Sequence, residues 1–175
     1  PEFYGLGLAL GNGDVSLLEL ANGYRALANG GRWSAVRWRA GETAGESRRV
    51  VSERAAFLTL DILADAEARA PGFGLRTPFD WPFRVAVKTG TSRHFTDNWA
   101  VATTAGFTVA VWVGNFSGRP MDGVSGITGA GPLLHRAVLV TARRVPPGEL
   151  PRPDAVGMSR RLVCRVSGLE PGAFC

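Results

Sequence analysis

The sequence predicts an α+β fold, an antiparallel sheet flanked by helices, and three observations carry that expectation. Residues 17–28 and 53–69 repeat apolar side chains at helical spacing, each segment behind a serine that can cap it. Three apolar runs, at 85–88, 99–104 and 107–114, follow one another across short polar or glycine-bearing breaks, as antiparallel neighbours do. A final helical segment at 133–144 opens behind Pro132, whose fixed φ suits a first turn. With 175 residues, 45% of them hydrophobic, the chain has the size of one domain and can furnish a core.

Taken in order, residues 1–13 are glycine-rich and apolar without a clear period, and are expected to form a loop or turn that packs. Ser16 and Glu19 fit a capping box, each side chain reaching the other's orphan amide. Leu17, Leu20, Ala21, Tyr24, Leu27 and Ala28 then share a face, and Asn29-Gly30-Gly31 ends the helix with residues that tolerate positive φ. Residues 33–39 read as a strand of interleaved aromatics and arginines, 41–46 as a turn and 48–51 as the returning strand of a small hairpin. Ser52 caps the second helix, with Ala56, Leu58, Leu60, Ile62 and Leu63 as a broad stripe and Pro71-Gly72 as its stop. Residues 72–82 form a loop.

The run at 107–114 lacks clean alternation, so both its faces should be covered. A glycine-rich loop at 115–131 leads into the last helix, which turns Leu134, Ala137, Val138 and Thr141 inward. Residues 1–144 thus form the main unit. Residues 145–157 read as a Pro-rich linker, and 158–175 as the first strand of a following domain or as a tail. The chain opens mid-pattern at Pro1, as a fragment of something longer would, and shows no internal repeat.

The chemistry concentrates at residues 84–99, RVAVKTGTSRHFTDNW. Lys88 is the only lysine in the chain, and it ends a short apolar strand that continues as hydroxyl, glycine, hydroxyl, hydroxyl: Thr89, Gly90, Thr91, Ser92. Thr89 and Thr91 lie two apart and share a strand face, while Gly90 lets another backbone or a ligand come close. The composition is that of an anion-binding edge, read here as a substrate-clamping strand. An edge strand with a glycine bulge is the plain alternative for so short a pattern. A P-loop is excluded because the lysine precedes the glycine and no helix follows.

The formal charge of +5 and pI near 10.2 invite a nucleic-acid reading, but Arg25, Arg37, Arg39 and Arg54 are scattered rather than striped with aromatics. No apolar run is long enough to span a membrane, and no signal peptide is present. Cys164 and Cys175, without paired histidines, are too few for a zinc site, so no metal is expected. A short-loop disulfide and two free thiols both remain open. His94 beside Arg93 reads as a solvated loop residue, Asp97 as a cap of the turn before Trp99, and Trp112 as core. Asp61 and Asp122 have no partner pattern for acid–base or metal work, and Arg119 reads as surface.

Lys88-Thr89-Gly90 is similar to the third motif of the penicillin-binding superfamily, after S-x-x-K and S-x-N elements. Together with residues 16–31 (SLLELANGYRALANGG), 107–116 (FTVAVWVGNF) and 125–132 (SGITGAGP), the chain resembles the C-terminal half of the transpeptidase domain of class A penicillin-binding proteins. These segments cover most of residues 4–142. The linker and cysteine-bearing tail are similar to the approach to an extra C-terminal domain in the 1C subgroup of that class. One departure matters: S-x-x-K ending on Lys88 would need a serine where Val85 stands, and no serine is followed two residues later by asparagine. The nucleophile is therefore not present in this chain.

The resemblance implies a β-lactamase/transpeptidase-like fold, here incomplete, and serine acyl transfer on the D-Ala-D-Ala ends of peptidoglycan stem peptides. It makes Lys88 and Thr91 catalytic, and Thr89, Gly90, Thr91 and Ser92 substrate-binding, with the Thr91 N–H as an oxyanion donor. It implies no cofactor, β-lactams as ligands, and the rest of the transpeptidase domain as partner. No nucleic acid is implied, and membrane attachment would come only through a segment outside this chain, on the periplasmic side of the inner membrane. It further implies a glycosyltransferase in the parent protein, and a fragment inactive alone. The rivals are a D,D-carboxypeptidase or β-lactamase-type hydrolase, which the VWVGNF and TGAGP segments argue against, and a degenerate scaffold, which an upstream S-x-x-K would exclude.

Overall fold

Three antiparallel strands carry the centre of the domain in the computed structural model, which describes residues 3–74 and 76–173. They are β3 (Ala86–Thr91), β4 (Asp97–Thr103) and β5 (Thr108–Gly114), in the order β3-β4-β5. Before them come α1 (Leu17–Ala28), a hairpin of β1 (Arg32–Ser34) and β2 (Ser47–Arg49), α2 (Glu53–Leu63) and α3 (Ala66–Phe73); α4 (Gly131–Ala142) follows them. Helices set around an antiparallel sheet make the α+β architecture that the sequence predicts.

Alternation along β3 divides the core. Val85 and Val87 join Ala100, Ala102, Phe79 and the α4 residues Leu134 and Val138 on one face, all buried. Ala86 turns to the other face, against Leu60 of α2 and Leu150. The loop before β3 is fastened to α4 through His135, whose Nδ1 meets the Pro78 carbonyl at 2.8 Å and whose ring stacks on Trp81 at 5.7 Å. Strand β5 lies between α1 and α4, with each residue half-buried, less covered than its apolar run predicts.

Helix α1 starts as expected: Ser16 Oγ accepts the Glu19 amide at 3.2 Å, and Glu19 accepts the Ser16 amide at 2.9 Å. Its deepest residues are not the predicted leucines but Asn22 and Ala26. Asn22 Nδ2 donates to the Ser34 carbonyl at 3.1 Å and Arg25 Nε donates to Asn22 Oδ1 at 2.7 Å, so a polar anchor joins α1 to β1. Leu17 and Leu18 are exposed.

Five local expectations are corrected. The N-terminal apolar stretch forms a 3-10 turn (Gly5–Leu10) that does not pack, with Leu6 96% and Leu10 92% exposed. The 33–39 strand stops at Ser34, because the Glu42 carboxylate takes the Trp38 and Arg39 amides at 2.7 and 3.2 Å and turns the chain. The helix expected at 53–69 breaks after Leu63, where Asp65 caps a new start by accepting the Glu67 and Ala68 amides. The second piece runs past Pro71 to Phe73 and ends on Gly74 at φ 80°. Its predicted stripe also shifts: Phe57 is buried while Leu58 and Ile62 face out.

Residues 145–157, linker-like by composition, lie against the domain. The Gly106 N–H donates to the Pro147 carbonyl at 2.7 Å, Leu150 is buried, and Arg54 donates to the Val156 carbonyl at 3.3 Å. Further on, Asp61 bridges Arg84 and Arg160. The described residues beyond 157 contain no regular strand; the Cys164 N–H bonds to the Leu169 carbonyl at 2.7 Å. Cys175 lies outside the described residues, and with it the question of a disulfide. Among the described residues no helix is long and apolar enough to cross a membrane.

Candidate active site

The Lys-Thr-Gly-Thr run lies within β3, as the strand reading expects, and β3 is the edge of its sheet among the described residues. The hairpin closes where the Ser92 N–H donates to the Asp97 carbonyl at 2.9 Å. Antiparallel alternation from that pair directs the backbone groups of Gly90, Lys88 and Ala86 towards β4. The N–H and C=O groups of Thr89 and Thr91 point outward, along the open edge.

Side chains alternate across the sheet in the same register. Lys88 lies on the α2 side with Ala86, and Thr89 and Thr91 on the α4 side with Val87. Lys88 is exposed, and its Nζ donates to the Thr89 carbonyl at 2.5 Å, which brings the ammonium round to the open edge. Cation and threonine hydroxyls thus approach one edge from opposite faces. Beside Lys88 a shallow cavity of about 200 Å³ is walled by Ile62, Leu63, Arg69 and Phe73. Burial there holds the Arg69 guanidinium below the ordinary arginine value, with the Asp65 charge opposing.

On the α4 side a short π-helical turn (Gly126–Ala130) lies on β3. Gly126 donates its N–H to Thr91 Oγ1 at 2.9 Å. A methyl group on Gly126 would stand 2.6 Å from the Gly90 carbonyl oxygen and 2.8 Å from that of Trp99. The close backbone approach anticipated at Gly90 is therefore made possible at the facing residue. A hydroxyl oxygen that accepts from Gly126 keeps its own proton to donate.

The hairpin beyond Thr91 turns on His94 and Phe95, at φ 61° and 58°. Ser92 Oγ donates to Asp97 Oδ2 at 3.0 Å, as does Thr96 Oγ1 at 3.0 Å, and Trp112 Nε1 donates to Asp97 Oδ1 at 2.9 Å. The Trp112 indole first, then the Ser92 and Thr96 hydroxyls, hold the Asp97 carboxyl below the usual carboxylate range, against the opposing effect of burial. Trp112 is half-buried and hydrogen-bonded rather than simply core.

Gly126 and the Trp112–Asp97 bond escaped sequence reading. The first had a trace in Ser125-x-x-Thr128, which caps its turn but lacks the Glu or Gln of the usual box. The second is a cross-strand contact with no spacing signature. Arg119 and Asp122 are exposed and lie in the loop between β5 and the turn, while Asp61 is committed to Arg84 and Arg160.

Residues 4–117 match the family described as the penicillin binding protein transpeptidase domain, and the chain belongs to that family. Among curated relatives it is 31% identical over 166 residues to penicillin-binding protein 1C of Escherichia coli (strain K12), covering 93% of this chain and 20% of that protein. It is 28% identical over 176 residues to penicillin-binding protein 1A of Clostridium novyi (strain NT), covering 94% of this chain and 20% of that one. The chain thus spans about a fifth of the length of these relatives. Of solved structures, penicillin-binding protein A from M. tuberculosis, an imipenem acyl-enzyme complex, matches at a TM-score of 0.56 and 22% identity, covering 77% of this chain and 33% of that one.

Proposed function

We propose that this chain supplies one wall of the active site of a serine D,D-transpeptidase that crosslinks peptidoglycan. The observation that carries the reading is the open β3 edge, which presents the Lys88 ammonium, the Thr91 hydroxyl bonded to Gly126 and the outward Thr91 N–H. A stem peptide ending in D-Ala-D-Ala brings a carboxylate and a peptide backbone to that edge. Lys88 and the Thr89 and Thr91 hydroxyls bind the carboxylate through charge-assisted hydrogen bonds. The outward backbone groups of Thr89 and Thr91 pair with the peptide as an added strand. Gly90 keeps the strand free of a side chain on the Lys88 face, and Ser92 closes the wall at the hairpin.

The serine comes from a part of the protein outside this sequence. Its hydroxyl oxygen attacks the penultimate D-Ala carbonyl, and the developing oxyanion is held by the Thr91 N–H; one such donor is worth about 2.7–4 kcal/mol in a serine protease. The C–N bond breaks and the terminal D-Ala leaves with a proton on its amine. An amine of a neighbouring stem then attacks the ester, gives up a proton and restores the serine hydroxyl. β-Lactams acylate the same serine. The chain alone, lacking the S-x-x-K serine, forms no acyl-enzyme. The likeness to class A penicillin-binding proteins supports a parent protein that also carries a glycosyltransferase and a membrane anchor, with this domain on the periplasmic side.

The test is to give the purified parent protein glycan strands bearing pentapeptide stems. Crosslinked dimers, with one D-Ala released per crosslink, support the reading. Tetrapeptides without crosslinks would make it a carboxypeptidase, and unchanged pentapeptide a scaffold.

A further inference from the structure

Three residues after Thr91 the chain takes a conformation that side-chain-bearing residues avoid. His94 and Phe95 are consecutive, non-glycine and left-handed, at φ 61° and 58°. Such backbone persists only where its surroundings hold it. The holding contacts converge on Asp97. Its carboxylate takes the Ser92 and Thr96 hydroxyls at 3.0 Å each and the Trp112 indole N–H at 2.9 Å. Its amide donates to Ser92 Oγ at 2.8 Å, and its carbonyl accepts the Ser92 N–H at 2.9 Å. Three of these contacts grip Ser92, the residue after Thr91, and the indole carries the grip across to β5.

We propose that Asp97 is a positioning residue for the active-site edge. It fixes the hairpin from the far side while Gly126 fixes Thr91 from the α4 side, so the outward Thr91 N–H keeps one direction. This inference rests on the transpeptidase reading above. Asp97 acts through Ser92 and does not itself meet the substrate. Removing its charge loosens the strand end where transition-state charge gathers, but leaves Lys88 and the threonine hydroxyls able to hold the ground-state carboxylate. A group that acts only in the transition state lowers kcat with little change in KM.

The experiment uses the full-length parent, Asp97→Asn against wild type, read by fluorescent-penicillin acylation and by crosslinking kinetics. Asp97→Asn is expected to slow acylation per active site about 10- to 100-fold, in line with small misplacements and lost oxyanion donors, with kcat reduced and KM little changed. A merely structural role lowers the labelled fraction at an unchanged rate, and that result overturns the proposal. If Asp97→Asn fails to fold, Trp112→Phe decides. It keeps the carboxylate and both hydroxyl partners, so a slowed rate per site supports the proposal and a wild-type rate overturns it. A wild-type parent that takes no penicillin overturns the transpeptidase reading itself, a result distinct from unequal or equal rates between variants.

Discussion

Thr91 Oγ1 accepts the Gly126 N–H at 2.9 Å, joining residues 35 apart in the chain. The bond ties the strand that carries the Lys-Thr-Gly-Thr run to the turn that opens α4. Two segments that resemble the penicillin-binding family separately are thus one structural unit. The contact depends on a glycine at 126, since its backbone passes over the Gly90 and Trp99 carbonyls.

Gly126→Ala tests that unit. The added methyl would stand 2.6 and 2.8 Å from two backbone oxygens of the sheet, which cannot rotate away. The turn must lift and the Thr91 bond must stretch. Overpacking of this kind costs about 1–3 kcal/mol, visible in denaturant unfolding of the parent protein, and penicillin acylation should slow with it.

Leu134→Ala tests where the core sits. Leu134 is fully buried between α4 and the sheet, while its neighbour Leu133 is 53% exposed. The first substitution is expected to cost about 2–5 kcal/mol. Leu133→Ala should stay within about 0.5 kcal/mol, and equal effects in unfolding experiments would refute the helix orientation.

Asp97 predicts an acid sensitivity with a definite sign. Its folded carboxyl titrates below the ordinary value, chiefly through the Trp112 indole. Its contribution is therefore full above the unfolded carboxylate pKa of about 3.9 and is lost as pH falls through the lower folded value. Stability measured from pH 6 down to pH 2 should drop less steeply in Asp97→Asn than in wild type.

Much of the site was legible because short-range chemistry wrote it. Ser16 and Glu19 mark the start of α1, Pro132 marks the first turn of α4, and the single lysine with its hydroxyls marks the edge of β3. What stayed hidden has two sources: local carboxylate–amide contacts that compete with a helix or strand, and contacts made across the fold. Asp65 could interrupt a helix only because its carboxylate takes two following amides in place of solvent. Glu42 ended a strand by the same competition. Residues 145–157 have the composition of a linker, yet the Gly106 amide and the Leu60–Ala86 pocket hold them. Leu6 and Leu10 read as packing residues because hydrophobicity says nothing of which neighbour is at hand.

The central claim is that Lys88 belongs to the wall of an acyl-transfer site, and fluorescent penicillin tests it most directly. The full-length parent should form a covalent adduct, and Lys88→Ala should form it about 10- to 100-fold more slowly, as the loss of one charge-assisted hydrogen bond implies. Equal labelling of the two proteins would remove Lys88 from the site, and a well-folded parent that takes no label would contradict the acyl-transfer account altogether.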